Sequence, residues 1–421
     1  MQQQWDVLVI GAGPAGLSAA TAAAENGLEV ILLDEQQLPG GQIYRSVSAP
    51  NADKHFLQRE DRKEGLELLV RFYASGAKYA PETTVWFAEP GRVIASRNGK
   101  SRELKTQVII VATGAMERPV PFPGWTLPGV MGAGAADILY KSAGVVPEGP
   151  VVLAGTGPLI PLVGSHLAEL GVEVKAVLDT SPVTNKAACL RHMPGALTDI
   201  PFLLKGMNMM RKLVTSPAKM VPGASNIEAV GDNRVSKVRY TAFGKTHEIE
   251  AATLLFHEGV IPRTHVTRML KLDHAWNKVQ RYWYPVCDKT GKSSDDRIYV
   301  VGDGASVHGA HASASKGFLA GIDAARTLKV ITGDEAKKRS ADARRELWKA
   351  MAPRAFVDSF FAPQAKIFDG SCAIGPVIRL FDDTFGIGRR DFHTLVVGFF
   401  EDLKVAFKHA RLERIVVAGV K

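Results

Sequence analysis

Cysteine is nearly missing from this chain. Three occur in 421 residues, Cys189, Cys287 and Cys372, each isolated, so neither a disulfide framework nor a CxxC metal or redox pair can be drawn from local spacing. Aromatic residues are also sparse, at 8%, and none is interleaved with a basic run. The formal charge of +9 is spread along the chain and therefore does not read as a nucleic-acid surface; it points to attraction for acidic ligands or an acidic protein partner. No apolar run is long enough to span a bilayer, and MQQQWD leads directly into VLVIG without the charged, apolar and cleavage regions of a secretory leader. The expectation is a cytoplasmic protein with no integral membrane segment and no nucleic-acid partner.

What is present is enough apolar side chain for real cores, 46% of a length that suits two domains. From Val7 to Asp34 the chain reads VLVI, GAGPAG, LSAATAAAENG and LEVILLDE, which is strand, glycine turn, alanine-rich helix and strand. A second copy runs from Val151 to Asp179 as VVLAGTGPLIPLVGSHLAELGVEVKAVLD, with a helix predicted over Pro158 to Leu170. The motif is thus duplicated. Between the copies a helix is predicted around Asp61 to Ser75, followed by short strands near Thr83 to Ala95 and Arg102 to Ala112. Ser181 to Pro222 has less pattern, and a strand at Arg297 to Val301 precedes a turn and a long helix.

This order predicts an α/β protein with two Rossmann-like dinucleotide-binding domains, the second inserted in the first. The first takes residues 1–125 and 283–332 and the second 126–282, with a helical and irregular segment over 333–421. The end of that segment, HTLVVGFFEDLKVAFKHARLERIVV, has a partly apolar face whose expected use is packing on the domain rather than membrane anchoring.

In the first turn, Gly11 lies where the chain bends and Gly13 where backbone must approach a pyrophosphate. Gly16 lies where helix and strand pack closely, and Pro14 and Ala15 complete the turn. N–H groups at the helix start suit phosphate charge. Asp34, with Glu35 beside it, ends the next strand, where a carboxylate can accept from ribose hydroxyls. The second turn keeps Gly155 and Gly157 but carries Ile160 in place of the third glycine. That β-branched side chain is expected to push the helix away from its strand. Asp179 retains the ribose-type acid, which favours NAD over NADP if the remnant binds either; a retained scaffold or altered site is the preferred reading.

With GAGPAG, the segments PGGQIYR (Pro39 to Arg45), VATGAMERPVPFPGWTLPGV (Val111 to Val130) and VVGDG (Val300 to Gly304) resemble the glutathione-reductase type of flavoprotein. Within it, PGGQIYR, ERPVPFPGWTLPGV, AGTGPLIPLV and HEGVIPRT together resemble the nucleotide-binding subunit of heteromeric amine dehydrogenases. These include opine oxidases, D-hydroxyproline and proline dehydrogenases and the cyanide-forming glycine dehydrogenase, and the α subunit of heterotetrameric sarcosine oxidase is related. The resemblance covers about residues 5 to 330.

It implies FAD as cofactor, held by Gly11, Gly13, Gly16 and Asp34 at the adenosine and pyrophosphate, and by Gly41 and Gln42 toward the middle or flavin end. Thr113 and Gly114 would lie where the chain crosses the cofactor, and Asp303, after Gly302, would accept from the ribityl chain; the simpler use of Asp303 is a helix cap. His308 and His311 follow closely as weak candidates for donating to the flavin or relaying a proton. Capping or solvent-facing roles are preferred for them, and their HxxH spacing lacks a third ligand, so no metal is expected. Arg45 and Arg118 suit a phosphate, a substrate carboxylate or an ordinary salt bridge. Tyr282, Trp283 and Tyr284 read as core or interface.

Many such subunits hold a [2Fe–2S] cluster on four thiolates. Here the tail has Cys372 alone, so no cluster on the usual ligands is expected, and redox work falls to the flavin. The leading expectation is an FAD-binding subunit of an amine or amino-acid dehydrogenase whose substrate is oxidised on a second flavoprotein subunit. The alternatives are a self-contained NAD(P)H-dependent FAD reductase and a non-catalytic nucleotide-binding structural subunit.

Overall fold

Strand Gln4–Ile10 is buried on both faces because its apolar residues run continuously through Val7, Leu8, Val9 and Ile10, as a central parallel strand requires. Alternate side chains enter different cores. Val7 and Val9 join Leu32, Ile110 and the helices on one face, and Leu8 and Ile10 join Leu33, Ile109 and Val300 on the other. A computed structural model describes residues 4–55 and 59–365 of the chain.

The first sheet has the order Lys78–Ala80, Val30–Leu33, Gln4–Ile10, Lys100–Val111, Arg92–Arg97, Thr84–Glu89, with Ile298–Val300 also pairing Lys100–Val111. The long strand Lys100–Val111 has two uses. Its beginning pairs antiparallel with Arg92–Arg97, and its end lies parallel to Gln4–Ile10 and Ile298–Val300. Helix Pro14–Ala24 is almost wholly small residues, which lets helix Ala310–Thr327 pass unusually close. A Cβ on Gly317 would lie 2.0 Å from the Ala15 carbonyl oxygen, and one on Gly321 2.4 Å from that of Ala19.

The second sheet is entirely parallel, in the order Lys219–Pro222, Val174–Asp179, Val151–Thr156, Thr253–Glu258, Val130–Gly132. Helices Ala133–Ala143 and Leu159–Glu169 pack on it around Val151, Leu153, Val163 and Leu255. A separate antiparallel sheet, Ser225–Val230, Lys237–Ala242 and Lys245–Glu250, follows. The duplication is therefore one of sheet architecture as well as of motif.

The chain leaves the first sheet through Ala115–Glu117 and returns through Val260–Pro262, and these two segments pair antiparallel. By Leu270 and Leu272 it is already in the core of the first sheet. We therefore propose boundaries at this pair of crossings, which is earlier on the return than the expected residue 283. Ser181 to Pro222, weakly patterned in sequence, contains helices Val183–Ala188, Met193–Ala196 and Ile200–Thr215. The last is hard to read because Leu213 alone of its apolar residues is buried, while Ile200, Leu204, Met207 and Val214 are exposed.

The charged stretch after residue 332 forms helices Gly333–Arg339 and Ala341–Met351. Residues 4–119 and 124–364 make one compact unit. Val120–Pro123 group with the chain from Ala365 onward as a second, in which the described part is an irregular segment and Ala365 itself. Cys372 and the apolar-faced segment at the end of the chain lie outside the described residues. Among the described residues no helix is long and apolar enough to cross a membrane.

Candidate cofactor site

The carboxyl ends of the first sheet's strands open onto a cavity of about 690 Å³, lined among others by Gly13, Asp34, Gly41, Gly114 and Asp303. Three glycines of the first turn are needed for three different reasons. Gly11 has φ +105°, and a Cβ there would meet the Ala112 carbonyl oxygen at 2.4 Å. A Cβ on Gly16 would lie 1.8 Å from the Gly11 carbonyl oxygen. Gly13 differs: its backbone is ordinary extended chain, and the nearest atom to its would-be Cβ is Gly41 Cα at 3.8 Å. The fold itself leaves room for a side chain at Gly13, so its bareness serves the cavity.

Helix Pro14–Ala24 has no side-chain cap, and its first internal bond runs from Leu17 N to the Gly13 carbonyl. The N–H groups of Ala15 and Gly16 precede that bond and front the same turn, where an anion is favoured. Asp34 receives Ala12 N at 2.5 Å on one oxygen and Gln36 N at 2.7 Å on the other. Burial nevertheless pushes its carboxyl up, against those two bonds. Each oxygen keeps a lone pair for a hydroxyl donor. Glu35 also lines the cavity, but it is half-exposed and lies 3.6 Å from Arg263.

On the opposite wall, Thr113 Oγ1 donates to the Arg263 carbonyl at 3.2 Å, and Arg263 N donates to that of Gly114 at 3.0 Å. The outgoing and returning chain are thereby pinned to each other. Gly114 has φ +67° with nothing within 4 Å of its would-be Cβ, and Gly302 has φ +65° against Ala15. Asp303 Oδ1 accepts from His308 N at 2.8 Å, Gly309 N at 3.0 Å and Ser313 Oγ at 3.2 Å. It braces the loop into helix Ala310–Thr327 while lining the cavity, although that helix has no side-chain cap of its own.

The two histidines part company. His308 is held by Lys316 Nζ at 2.7 Å from Nδ1 and by Ser306 Oγ at 3.3 Å from Nε2, whereas the His311 side chain is exposed and 3.8 Å from Glu64. Neither is among the residues that line the cavity. Arg118 is part-buried and donates to three carbonyls, those of Glu258, Arg281 and Gln280, at 2.6–2.9 Å; burial brings it down to about 10. Of the aromatic trio, Tyr282 is core, while Trp283 is half-exposed and packs edge-on against Trp276. Burial pushes the Cys287 thiol up to about 11, which makes it a poor thiolate.

At the second turn, Gly155 and Gly157 have φ +136° and +127°, and Cβ atoms there would collide with His257. Ile160 itself is part of the core at this turn. It is 4% exposed and packs into the core beneath helix Leu159–Glu169, where a large apolar side chain fills space instead of clashing. The turn is poor in donors for another reason. Pro158 and Pro161 have no N–H, and those of Ile160 and Leu162 go to the carbonyls of Gly157 and Pro158. Asp179 receives both the backbone and the hydroxyl of Ser181 and pairs with Lys186 at 3.2 Å.

Several polar residues between the sheets escaped sequence reading. Glu117 meets His257 Nδ1 at 2.7 Å and receives Gly134 N at 3.0 Å. Asp137 contacts Lys141 at 2.8 Å and His166 at 3.4 Å. Burial alone would raise its carboxyl, but those two partners outweigh it and hold it low. Lys141 also donates to the Ile43 carbonyl at 3.2 Å, reaching from the second motif to the first. In sequence, the sole hint is the HEG run containing His257 and Glu258.

Glu258 is fully buried. Thr180 donates to its Oε1 at 2.6 Å, while Oε2 has no hydrogen-bond partner. Burial pushes its carboxyl from 4.5 up to about 7, with Thr180 and Arg118 opposing and Asp179 adding to the rise. A carboxyl raised on folding contributes stability below its unfolded value, and that stability is lost as pH rises through 7. Glu258→Gln, which cannot ionise, is therefore expected to be more stable than the parent by roughly 3 kcal/mol at pH 8.5 and to differ little at pH 5. Urea unfolding of both proteins at the two pH values checks this; parallel midpoints at pH 8.5 would contradict it.

Known proteins resemble this chain in sequence and in fold. Residues 5–317 match the family described as pyridine nucleotide-disulphide oxidoreductase. The A subunit of opine oxidase from Agrobacterium tumefaciens (strain Ach5) is 41% identical over 373 residues, 86% of this chain and 73% of that protein. The HcnB subunit of hydrogen cyanide synthase from Pseudomonas aeruginosa is 30% identical over 79% of this chain and 73% of its own length. Among solved structures, L-proline dehydrogenase of P. horikoshii has the same fold, with a TM-score of 0.58 at 20% identity over 82% of this chain and 59% of that one. With residues 5–317 matching its model and two sheets each built on a strand–glycine turn–helix motif, the chain belongs to the pyridine nucleotide-disulphide oxidoreductase family.

Proposed function

We propose that this chain is the FAD-binding subunit of a heteromeric dehydrogenase that oxidises a C–N bond of an opine-like amine or amino acid, with the substrate oxidised on a second flavoprotein subunit. The observation that carries this reading is the 41% identity to the A subunit of an opine oxidase across 86% of the chain, joined to a cavity whose walls suit a dinucleotide. The fit rests on the bare, unobstructed position at Gly13 and on the helix start without a side-chain cap. The Gly13 to Gly16 turn would hold the pyrophosphate, Asp34 the adenosine ribose and Asp303 the ribityl hydroxyls. Gly41, Gln42, Thr113 and Gly114 would border the rest. Bound FAD supplies two-electron redox chemistry that no side chain here offers.

The second turn supports electron delivery from a partner protein over delivery from a nicotinamide. Its prolines remove two N–H donors, which supports a turn with fewer pyrophosphate partners than the first provides.

Purification from the native source, followed by anaerobic spectroscopy, tests the reading. The expected result is FAD released on denaturation, a co-purifying second flavoprotein, and flavin bleaching by an opine or amino acid in the complex but not in the isolated chain. Rapid bleaching of the isolated chain by NADH would overturn it in favour of a self-contained reductase.

A further inference from the structure

Arg45 closes PGGQIYR, and neither the glycine turns nor the acids account for it. Its Nη1 donates to Gln36 Oε1 at 2.5 Å and its Nη2 to Gln42 Oε1 at 3.1 Å. Both acceptors are neutral amide oxygens, and Gln36 is itself fixed, its N–H on Asp34 and its carbonyl receiving Tyr79 OH at 3.1 Å. The Arg45 Nε atom is buried and has no hydrogen-bond partner. Among the described residues no carboxylate lies within ion-pair distance of Arg45, although Asp34 and Glu35 line the same cavity. Arg45 feels the charge of Asp34 without pairing with it, and a guanidinium at a cavity wall with a desolvated, unused donor is costly until a closer anion arrives with the ligand.

We propose that Arg45 is a cofactor-binding residue that supplies the counter-charge for the pyrophosphate of FAD, with Gln36 and Gln42 setting the plane of its guanidinium. The inference rests on the FAD-binding reading above and adds a charged contact to what would otherwise be recognition by backbone N–H groups alone. The guanidinium bridges the end of strand Val30–Leu33 and the Gly40–Gly41 turn, and that turn abuts Gly13, with Gly13 Cα 2.7 Å from the would-be Cβ of Gly41. The bridge therefore ends beside the phosphate-facing turn. A planar fork of donors matches phosphate oxygens in a way that a lysine does not.

The test is FAD binding to the deflavinated full-length protein, followed by flavin fluorescence at 50 and 300 mM NaCl, with ADP as a competitor that carries the pyrophosphate without the flavin. Arg45→Met is expected to weaken both FAD and ADP by roughly 10- to 100-fold and to flatten the salt dependence. Arg45→Lys should restore the salt dependence but not the full affinity. Unchanged ADP affinity and salt dependence in a folded Arg45→Met protein would overturn the proposal. Should that variant not fold, Gln36→Leu keeps the charge and removes its support: a several-fold loss of ADP affinity is expected, and parental affinity would overturn the proposal. Failure of the parent protein to bind FAD would instead remove the underlying reading.

Discussion

Gly13→Val will give a folded protein that no longer retains FAD. The expectation is unusual for a glycine in a tight turn, and it follows from the difference between Gly13 and its neighbours. At Gly16 an added methyl would sit 1.8 Å from a backbone oxygen, and at Gly11 2.4 Å, with φ +105° besides, so substitution there breaks the strand–turn–helix unit itself. At Gly13 φ is −77° and the nearest atom to a Cβ is 3.8 Å away. Valine adopts that backbone, and its side chain projects into the cavity where a pyrophosphate must approach the N–H groups of the first helical turn. Losing two charge-assisted bonds corresponds to roughly 10²- to 10⁴-fold in affinity. Flavin absorbance per mole of purified protein, read beside the thermal transition of the apoprotein, checks both halves of the statement. Parental flavin content in Gly13→Val would remove the cofactor assignment at this turn.

The two nucleotide-binding motifs are legible in the sequence because their signals are local. A strand, a glycine turn and a small-residue helix follow one another within about 30 residues, as the βαβ unit requires, and the helix predicted over Pro158 to Leu170 forms at Leu159–Glu169. What is illegible depends on distant partners. Glu117 and His257 are 140 positions apart, and Arg118 reaches carbonyls 140 to 163 residues away; no periodicity encodes such meetings. Ile160 by its type implies a clash, whereas only the packing around it decides between clash and core. The donor loss at Pro158 and Pro161, by contrast, is readable from residue identity, since proline lacks an N–H in any fold. Helix Ile200–Thr215 is obscured by its exposed apolar residues, because burial of one stripe is what makes a helical pattern recognisable.

Acid will destabilise this protein through His308, and His308→Gln will remove most of that sensitivity. The imidazole is largely buried, its Nδ1 is 2.7 Å from the Lys316 ammonium, and Arg354 adds a second positive charge nearby. Burial chiefly, then those two cations, bring His308 from 6.5 down to about 3. Lys316 is itself lowered, mainly by burial, with Asp303 and Cys287 pulling it back up and Arg354 adding to the fall. A histidine depressed in the fold binds its proton first in the unfolded chain, so stability is complete above pH 6.5 and declines as pH falls toward 3. The contribution lost is roughly 2 kcal/mol at pH 5 and roughly 4 kcal/mol at pH 3.5. Gln offers Lys316 a neutral acceptor and cannot be protonated, so the variant begins near or somewhat below the parent at about pH 7.5 and overtakes it on acidification. Because the His308 and Gly309 N–H groups both bond Asp303, loosening this loop acts on an acid proposed to hold the cofactor. Flavin release should then follow the same pH window and shift downward in His308→Gln. Chemical unfolding at half-unit pH steps, with flavin fluorescence recorded in parallel, gives both curves, and identical acid slopes for parent and variant would exclude His308 as the source.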